Sequence, residues 1–437
     1  MAKIGVLGQY VVELGVPKQG GGYTPIDDVS ENDLVALEIT EKADNVLPIA
    51  RLHFTTADDN IALRINESQP IVIAAGIDDK MLSPTEFLPI NPSIRRRAAN
   101  EWAISTNLVL NVPEYANTAK VKVYGLADAV SVAKSILGAH FNVHGGSIPK
   151  SDDQMNYIQP AISDMEFVRN LSRHAWLNQG DSWNVVALTT EVTTEATQGK
   201  KPSVRVFDMA KQITMAKAGN YFWHFTNLEP DTLLKKQQQK PSNKSESSSG
   251  QGNKFIINYA GDYTFVSPTG LLNQLAGYDR TNLDYDMDSA GVWTQQAILS
   301  KSHLTNSANW TRSAGKQGPL ILPPNFGAVG HNTHQQYFLA AHSNLANRAL
   351  FSSFQCQLSY DNGFYPHQLL DIAQLSITSA KAPNEVNPAL SGLYIISGIT
   401  RSWTGKRLRT TVTLVREGPE GGGGGGGGSI ADIGQLV

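Results

Sequence analysis

GLYIISGITRSWTGKRLRTTVTLV, residues 392–415, is the stretch on which the fold turns. In its first half Leu393, Ile395, Ile399 and Trp403 are an even number of residues apart, and in its second half Leu408, Val412 and Leu414 repeat the pattern. That spacing puts each set on one face of a strand, whereas a helix would carry its apolar residues three and four apart. A turn holding Gly405 returns the first run onto the second, so the stretch is a β-hairpin that closes a β-barrel at the end of the folded chain.

Working outward, the same alternation predicts strands at Phe354 to Tyr360 and Leu375 to Thr378. Near the N-terminus it predicts strands at Leu34 to Thr40, Ile49 to Thr55, Ile61 to Ile65, Ile71 to Ile77, Asn107 to Val112 and Ala119 to Tyr124. Short strands bounded by Asp, Asn, Gly and Pro suit a barrel or sandwich. Helices are fewer. Leu126, Val130, Ala133 and Leu137 fall on one helical face, with Gly138 expected as the terminator. Ser163 and Glu166 have capping-box spacing, with Ile162 and Phe167 placed as the staple, and the helix runs through Leu171. Further helices are expected from Ser267-Pro268 to Gly277 and from Thr333. The fold class is mainly β with α+β insertions.

The expected division is a first barrel with an N-terminal arm over 1–125, a mixed subdomain over 126–234 and a loop over 235–254. A connecting subdomain over 255–332 and a helix with the second barrel over 333–418 follow. Residues 235–254 contain no apolar residue, so they have nothing to bury against their ordering entropy and are expected to be mobile. Residues 419–437 hold eight consecutive glycines, a flexible tether by composition, and then SIADIGQLV. Ile430, Ile433 and Leu436 make that segment a candidate docking tail, expected to seat on a neighbouring protein of the same assembly.

Charge and chemistry exclude several classes. A net charge of −3 across 437 residues leaves no broad basic surface for gripping nucleic acid, and the run Arg95-Arg96-Arg97 reads as a solvated face. With one cysteine, Cys356, no internal disulfide and no cysteine-based zinc site can form. The longest apolar run, Ile71 to Ile77, is far shorter than a membrane span, and the N-terminus carries no secretory pattern. No nucleophile elbow, phosphate loop or HExxH helix occurs. Asp284, Asp286 and Asp288 start like a calcium loop but meet Ser289 where glycine is needed and Gln295 where glutamate is needed. His331, His334 and His342 have no acidic or thiol neighbour to complete a metal shell, and Glu191 and Glu195 lie among threonines in a polar stretch with no sequence argument for either as a catalytic acid. No catalytic, cofactor or metal residue is assigned, and the chain is read as a non-enzyme.

Three stretches resemble the baseplate hub family of contractile phage tails, which includes the late control D proteins and the hub part of VgrG spikes. The first runs Ser163, Asp164, Met165, Glu166, Phe167, Val168, Arg169, Asn170, Leu171, an acidic residue ahead of a Phe-hydrophobic-Arg-x-Leu core. The second is the order from 333 to 378, a small-residue helix, a strand, then PHQLLDI with Asp371, then a strand. The third is the opening hairpin itself, with Gly392, Tyr394 and Gly398. The resemblance covers about residues 30–416. It implies two β-barrels related to the tail-tube protein, a homotrimer, and a structural role adapting the tube to the spike in the virion baseplate. It also implies a lining for DNA in transit, partners among spike, tube, baseplate wedge and tape-measure proteins, and no cofactor or membrane anchor. No fused lysozyme or needle repeat is present, so the spike is expected on another chain. A tail-borne cell-wall hydrolase or peptidase, or a receptor-binding module, remains the alternative.

Overall fold

The computed structural model describes residues 10–17, 23–25, 34–43, 47–65, 69–77, 80–81, 84–144, 151, 155–175, 186–191, 202–208, 221–225, 255–259, 263–266, 281–286, 291–296, 320–321, 354–361, 369, 371–377, 387, 390–404 and 407–416. The N-terminal strands are β1 (Tyr10–Pro17), β2 (Tyr23–Pro25), β3 (Leu34–Lys42) and β4 (Ile49–Thr56). Helix α1 (Asp59–Arg64) precedes β5 (Ile71–Ile77), β6 (Lys80–Met81), β7 (Thr85–Ala98) and β8 (Glu101–Leu110). The helical part runs α2 (Pro113–Ala116), β9 (Ala119–Ala127), α3 (Ala129–His140), β10 (Asn142–His144), β11 (Met155–Ser163) and α4 (Asp164–His174). Then come β12 (Val186–Glu191), β13 (Ser203–Asp208), β14 (Tyr221–Phe225), β15 (Phe255–Tyr259), β16 (Tyr263–Val266), β17 (Thr281–Asp286), β18 (Gly291–Gln296) and β19 (Leu320–Ile321). The chain closes with β20 (Phe354–Asp361), β21 (Ile372–Ile377), β22 (Gly392–Thr404) and β23 (Arg407–Arg416).

The fold is mainly β, and its N- and C-terminal strands belong to one sheet ordered β15-β14-β21-β22-β3-β4-β8-β7-β5-β1-β2, with β23, β20 and β16 continuing from the other edge of β22. The join lies at β22. Its first residues pair with β21, Tyr394 opposite Ala373, while Gly398 to Thr404 pair antiparallel with β3, Gly398 opposite Lys42 and Trp403 opposite Leu37. Strand β23 follows the opposite edge through both halves, with a register shift between Ile396 and Gly398. A bulge lets a strand bend and change sheets, and this one sits where β22 leaves one partner for the next. The backbone records the handover: Ile396 N–H donates to the Asp371 carbonyl at 3.0 Å, and the Ser397 carbonyl accepts from Ala43 N–H at 2.8 Å.

Beyond the bulge Ile399, Arg401 and Trp403 share a buried face, as Leu37, Ile39 and Glu41 do on β3. Each set carries one charge in an apolar series, and the two charges meet: an Arg401 guanidinium nitrogen donates to Glu41 Oε2 at 2.8 Å, with side-chain exposures of 2% and 3%. Trp403 and Leu408 lie in the same core cluster as Leu37, Leu52, Phe54, Phe87 and Ile104, so the tip of the C-terminal hairpin helps fill the N-terminal core. The opening reading placed Leu393, Ile395, Ile399 and Trp403 on a single face; the bulge breaks that alternation and sets the downstream face by Ile399.

A second core is helical. Tyr115, Val130, Leu137, Val168 and Leu171 pack with Tyr157 of β11 and with Val204 and Val206 of β13. Two expectations are corrected here. Residues Ile61 to Ile65 belong to helix α1 and its C-cap rather than to a strand: Asp58 Oδ1 accepts from Asn60 N–H at 2.7 Å, capping a turn that buries Ala62 and Ile65 three residues apart. Helix α3 begins at Ala129, capped by Asp128, which accepts from Ser131 N–H, and Gly138 lies inside it instead of ending it. Leu126 is left on strand β9. The helices expected from Ser267 and Thr333, the loop 235–254, the tether and the tail all lie outside the described residues.

Removing one member of the buried pair leaves the other charge uncompensated. Arg401→Met is expected to cost about 3–5 kcal/mol in urea unfolding, and Arg401→Met with Glu41→Leu substantially less than the sum of the two single changes.

Candidate functional site

The sequence-flagged residues form two groups. Asp371, Gly392, Tyr394 and Gly398 gather at the bend of β22. Asp371 is buried and gives its carbonyl to Ile396. Gly392 has φ 132°, a conformation that side-chain-bearing residues rarely adopt, and it opens the strand. Tyr394 is fully buried; its hydroxyl donates to the Leu390 carbonyl at 2.7 Å and the Arg416 guanidinium lies 4.4 Å from its ring centroid. Arg416, itself buried, donates to the Ser391 carbonyl at 2.9 Å. Gly398 stands at the bulge, where an added Cβ would meet Thr413 Cβ and Oγ1 at 3.4 Å. These residues hold the backbone where it changes direction.

The second group sits on α4. Ser163 caps it as its spacing predicts, its Oγ accepting from Glu166 N–H at 3.2 Å. Phe167 is buried with its ring 5.7 Å from Tyr124, stacked; Leu171 is buried, Arg169 is half-buried and Glu166 is exposed. The focus of this group is a residue between the flagged positions. Asp164, at the first turn of α4, accepts from Lys120 Nζ at 2.6 Å, from Gln159 Nε2 at 2.9 Å, and contacts His140 Nε2 at 2.9 Å. Tyr115 flanks His140, their ring centroids 5.5 Å apart. Burial works to raise the Asp164 carboxyl, and the hydrogen bonds from Lys120, Gln159 and His140 outweigh it, holding the group below the usual carboxylate value. Burial pushes the Tyr115 hydroxyl well up, against the pull of Arg169. One carboxylate thus ties β9, α3, β11 and α4 together, which is the work of a structural clamp.

Other candidates resolve as follows. Cys356 is fully buried on β20, and burial raises its thiol far above the ordinary value despite the Arg416 charge, so the thiolate a nucleophile needs is suppressed. Arg95, Arg96 and Arg97 are exposed on β7. Asp284 and Asp286 lie on β17 and Glu191 ends β12; Asp288, Glu195 and the three histidines lie outside the described residues, as do Ile430, Ile433 and Leu436. Among the described residues no group of three His, Cys, Asp or Glu is placed to hold a metal, and no helix is long and apolar enough to cross a membrane. Sequence reasoning missed Glu41 and Arg401, whose signal was a charge standing in each apolar alternation, and it missed Lys120, His140 and Gln159, which no spacing connects.

No family model matches the chain, and no curated protein sequence matches it. Solved structures do match. The tail protein from Neisseria meningitidis MC58 aligns with a TM-score of 0.52 at 9% identity over 94% of this chain and 98% of that one. The chain shares the fold of a tail protein. A chain of the Francisella PdpA-VgrG complex in its half-lidded form aligns with a TM-score of 0.52 at 9% identity over 96% of this chain and 60% of that one. The lidless PdpA-VgrG complex gives 0.50 at 9% identity, over 94% and 66%. This chain therefore spans about three fifths to two thirds of the VgrG-complex chains and nearly all of the Neisseria protein. At such identities the likeness is one of fold.

Because its folded pKa is depressed, Asp164 adds stability that is present above the unfolded value of 3.8 and is lost as pH falls through the folded value. Asp164→Asn is expected to cost about 1–3 kcal/mol at neutral pH, and the gap from wild type to narrow in unfolding curves taken below about pH 4.

Proposed function

We propose that this chain is the structural baseplate hub of a contractile tail, joining a six-fold tube to a three-fold spike and lining the channel through which DNA leaves. The observation that carries the reading is the join at β22: the N- and C-terminal β regions are bonded edge to edge in one chain. Each region then acts as one tube-like unit, so three copies present six units to the tube while keeping three-fold symmetry toward the spike. The fold shared with a tail protein and with chains of a VgrG complex supports the same reading, as does the resemblance carried by Ser163, Glu166, Phe167, Arg169, Leu171, Asp371, Gly392, Tyr394 and Gly398. These residues act in it as structural positions: α4 braces the β9–β11 ribbon, and the bend of β22 sets the angle between the two units.

In this account the partners are two further copies of the chain, a separate spike protein, the tube protein and the wedge or tape-measure proteins around them. The site of action is the virion tail, and DNA is met only in transit. An obligate trimer of this kind buries on the order of 2,000–5,000 Å² per interface. No step of the role calls for a catalytic group.

Native mass measurement on the full chain, by itself and mixed with its spike protein, tests the proposal. A species of three chain masses is expected in at least the mixture; a dimer or tetramer that persists in both would overturn it.

A further inference from the structure

The face of the sheet turned away from the buried core runs through β23, β22, β3, β4, β8 and β7, and two cross-strand rows can be followed along it. One row is Arg409, Ser402, Glu38, Arg51, Asn107 and Ile90; the next is Arg407, Thr404, Ala36, His53, Ser105 and Ser93. None of these side chains is buried, whereas Leu408, Trp403, Leu37 and Leu52, which alternate with them, belong to the core. Two residues beyond Ser93, Arg95 stands on the same face opposite Ala103 and is exposed. Arg51, Arg95, Arg407 and Arg409 make no hydrogen bond or ion pair among the described residues. The inward arginines of the same hairpin differ: Arg401 is bonded to Glu41 and Arg416 to the Ser391 carbonyl. Carboxylates on this part of the face are fewer than arginines. Glu38 is half-buried opposite Arg51, Glu101 lies 3.9 Å from Arg97, and Asp361 of β20 stands opposite Arg409 in register.

We propose that these four arginines form a contact surface for the phosphate backbone of duplex DNA, one that does not read its sequence. The inference rests on the tail reading for the identity of the polyanion. The surface itself favours a phosphate polymer on three counts. A guanidinium is a planar fork that matches phosphate oxygens, and all four free cations are arginines. The side chains between them, Ser402, Thr404, Ser105, Ser93 and Asn107, are the hydroxyl and amide donors that phosphate oxygens accept from. The two rows hold one large apolar side chain, Ile90, so they lack the apolar or aromatic centre of a protein interface and the aromatic platform on which unpaired bases stack.

Spacing agrees with an extended anion. Arg407 and Arg409 are two residues apart on β23, roughly 7 Å, and three strand spacings separate Arg409 from Arg51, roughly 14 Å counted along the sheet. A single small anion would meet one or two of these groups, whereas a polymer of phosphates can meet them together. The chain's net charge of −3 conceals the surface, because Arg51 and Arg95 come from the N-terminal strands and Arg407 and Arg409 from the C-terminal hairpin. Only the pairing of β22 with β3 brings the two sets onto one face. Four contacts give a weak, salt-sensitive grip, which suits DNA that has to move past.

Fluorescence anisotropy of the full chain with a labelled mixed-sequence duplex of about 30 base pairs, between about 50 and 200 mM salt, tests it. The expected result is weak binding whose logarithm falls with log salt at a slope of about −3 to −4, as four phosphate contacts require. Arg51→Gln with Arg407→Gln and Arg409→Gln should weaken binding at least about tenfold and flatten the slope by about 3. Lysine at the same three positions keeps the charge and should hold affinity within about threefold, and Arg173→Gln, exposed on α4, should leave it within about twofold. No binding at the lowest salt, binding indifferent to the three glutamine changes, or equal binding to polyglutamate would each overturn the proposal. Native mass on the same samples separates it from the hub reading. Three chain masses without DNA binding defeats this inference and leaves the hub; DNA binding with a persistent dimer or tetramer keeps the contact and removes the hub.

Discussion

The closing strands β21 and β23 are tied to the N-terminal strand β3 through the bend in β22. One edge of that strand has to serve two partners, β21 and then β3, while its other edge stays bonded to β23. A straight, regular strand cannot turn from one sheet into the next, and the single extra residue between Ile396 and Gly398 supplies the turn. The bend is locked from both sides, by the Asp371 carbonyl on Ile396 and by Ala43 on Ser397. Gly398 keeps the approach to Thr413 free of a Cβ. Past the bend, Arg401 and Glu41 meet in the buried interior, and Trp403 and Leu408 complete the N-terminal core.

A buried ion pair is a poor source of net stability, because two charges must leave water for one favourable contact. Its value here is register. Glu41 and Arg401 are 360 residues apart in sequence, and Arg401 can satisfy its charge inside the core at one pairing of β22 on β3. A slip by one residue would turn Arg401 outward and leave Glu41 buried without its partner. Asp164 does the equivalent job for the helical layer, drawing Lys120, His140 and Gln159 from three elements onto the first turn of α4. Two charged fasteners therefore fix the parts of the molecule whose apolar surfaces alone would permit sliding.

What the sequence disclosed follows from the range of the interactions involved. Strand β3 is specified by period-two alternation and strand β5 by a short continuous apolar run; both are where those patterns put them, and so is the terminal hairpin, apart from the bulge that breaks the alternation of β22. The start of α4 is specified by a contact three residues long, from Ser163 to Glu166, and it too is legible. Ile61 to Ile65 misled because a short apolar run fits strand and helix alike, and the deciding feature, the Asp58 cap, lies outside the run. Leu126 misled because a bulge in β9 places it beyond the strand's regular alternation and ahead of the helix that Asp128 starts. Arg401 and Glu41 were hidden for a different reason. Each is a lone polar residue in an apolar series, and no local rule says that two such residues, hundreds of positions apart, cancel one another.

The account makes the two β regions a single cooperative unit, because they share a strand and part of a core. Native-state amide hydrogen exchange on the full chain, followed with increasing urea, examines that directly. The amides of Ile39 to Glu41 and of Ile399 to Arg401 should open with the same free energy and the same denaturant dependence. Independent opening of Leu34–Lys42 at much lower free energy, with Gly392–Thr404 still protected, would contradict it.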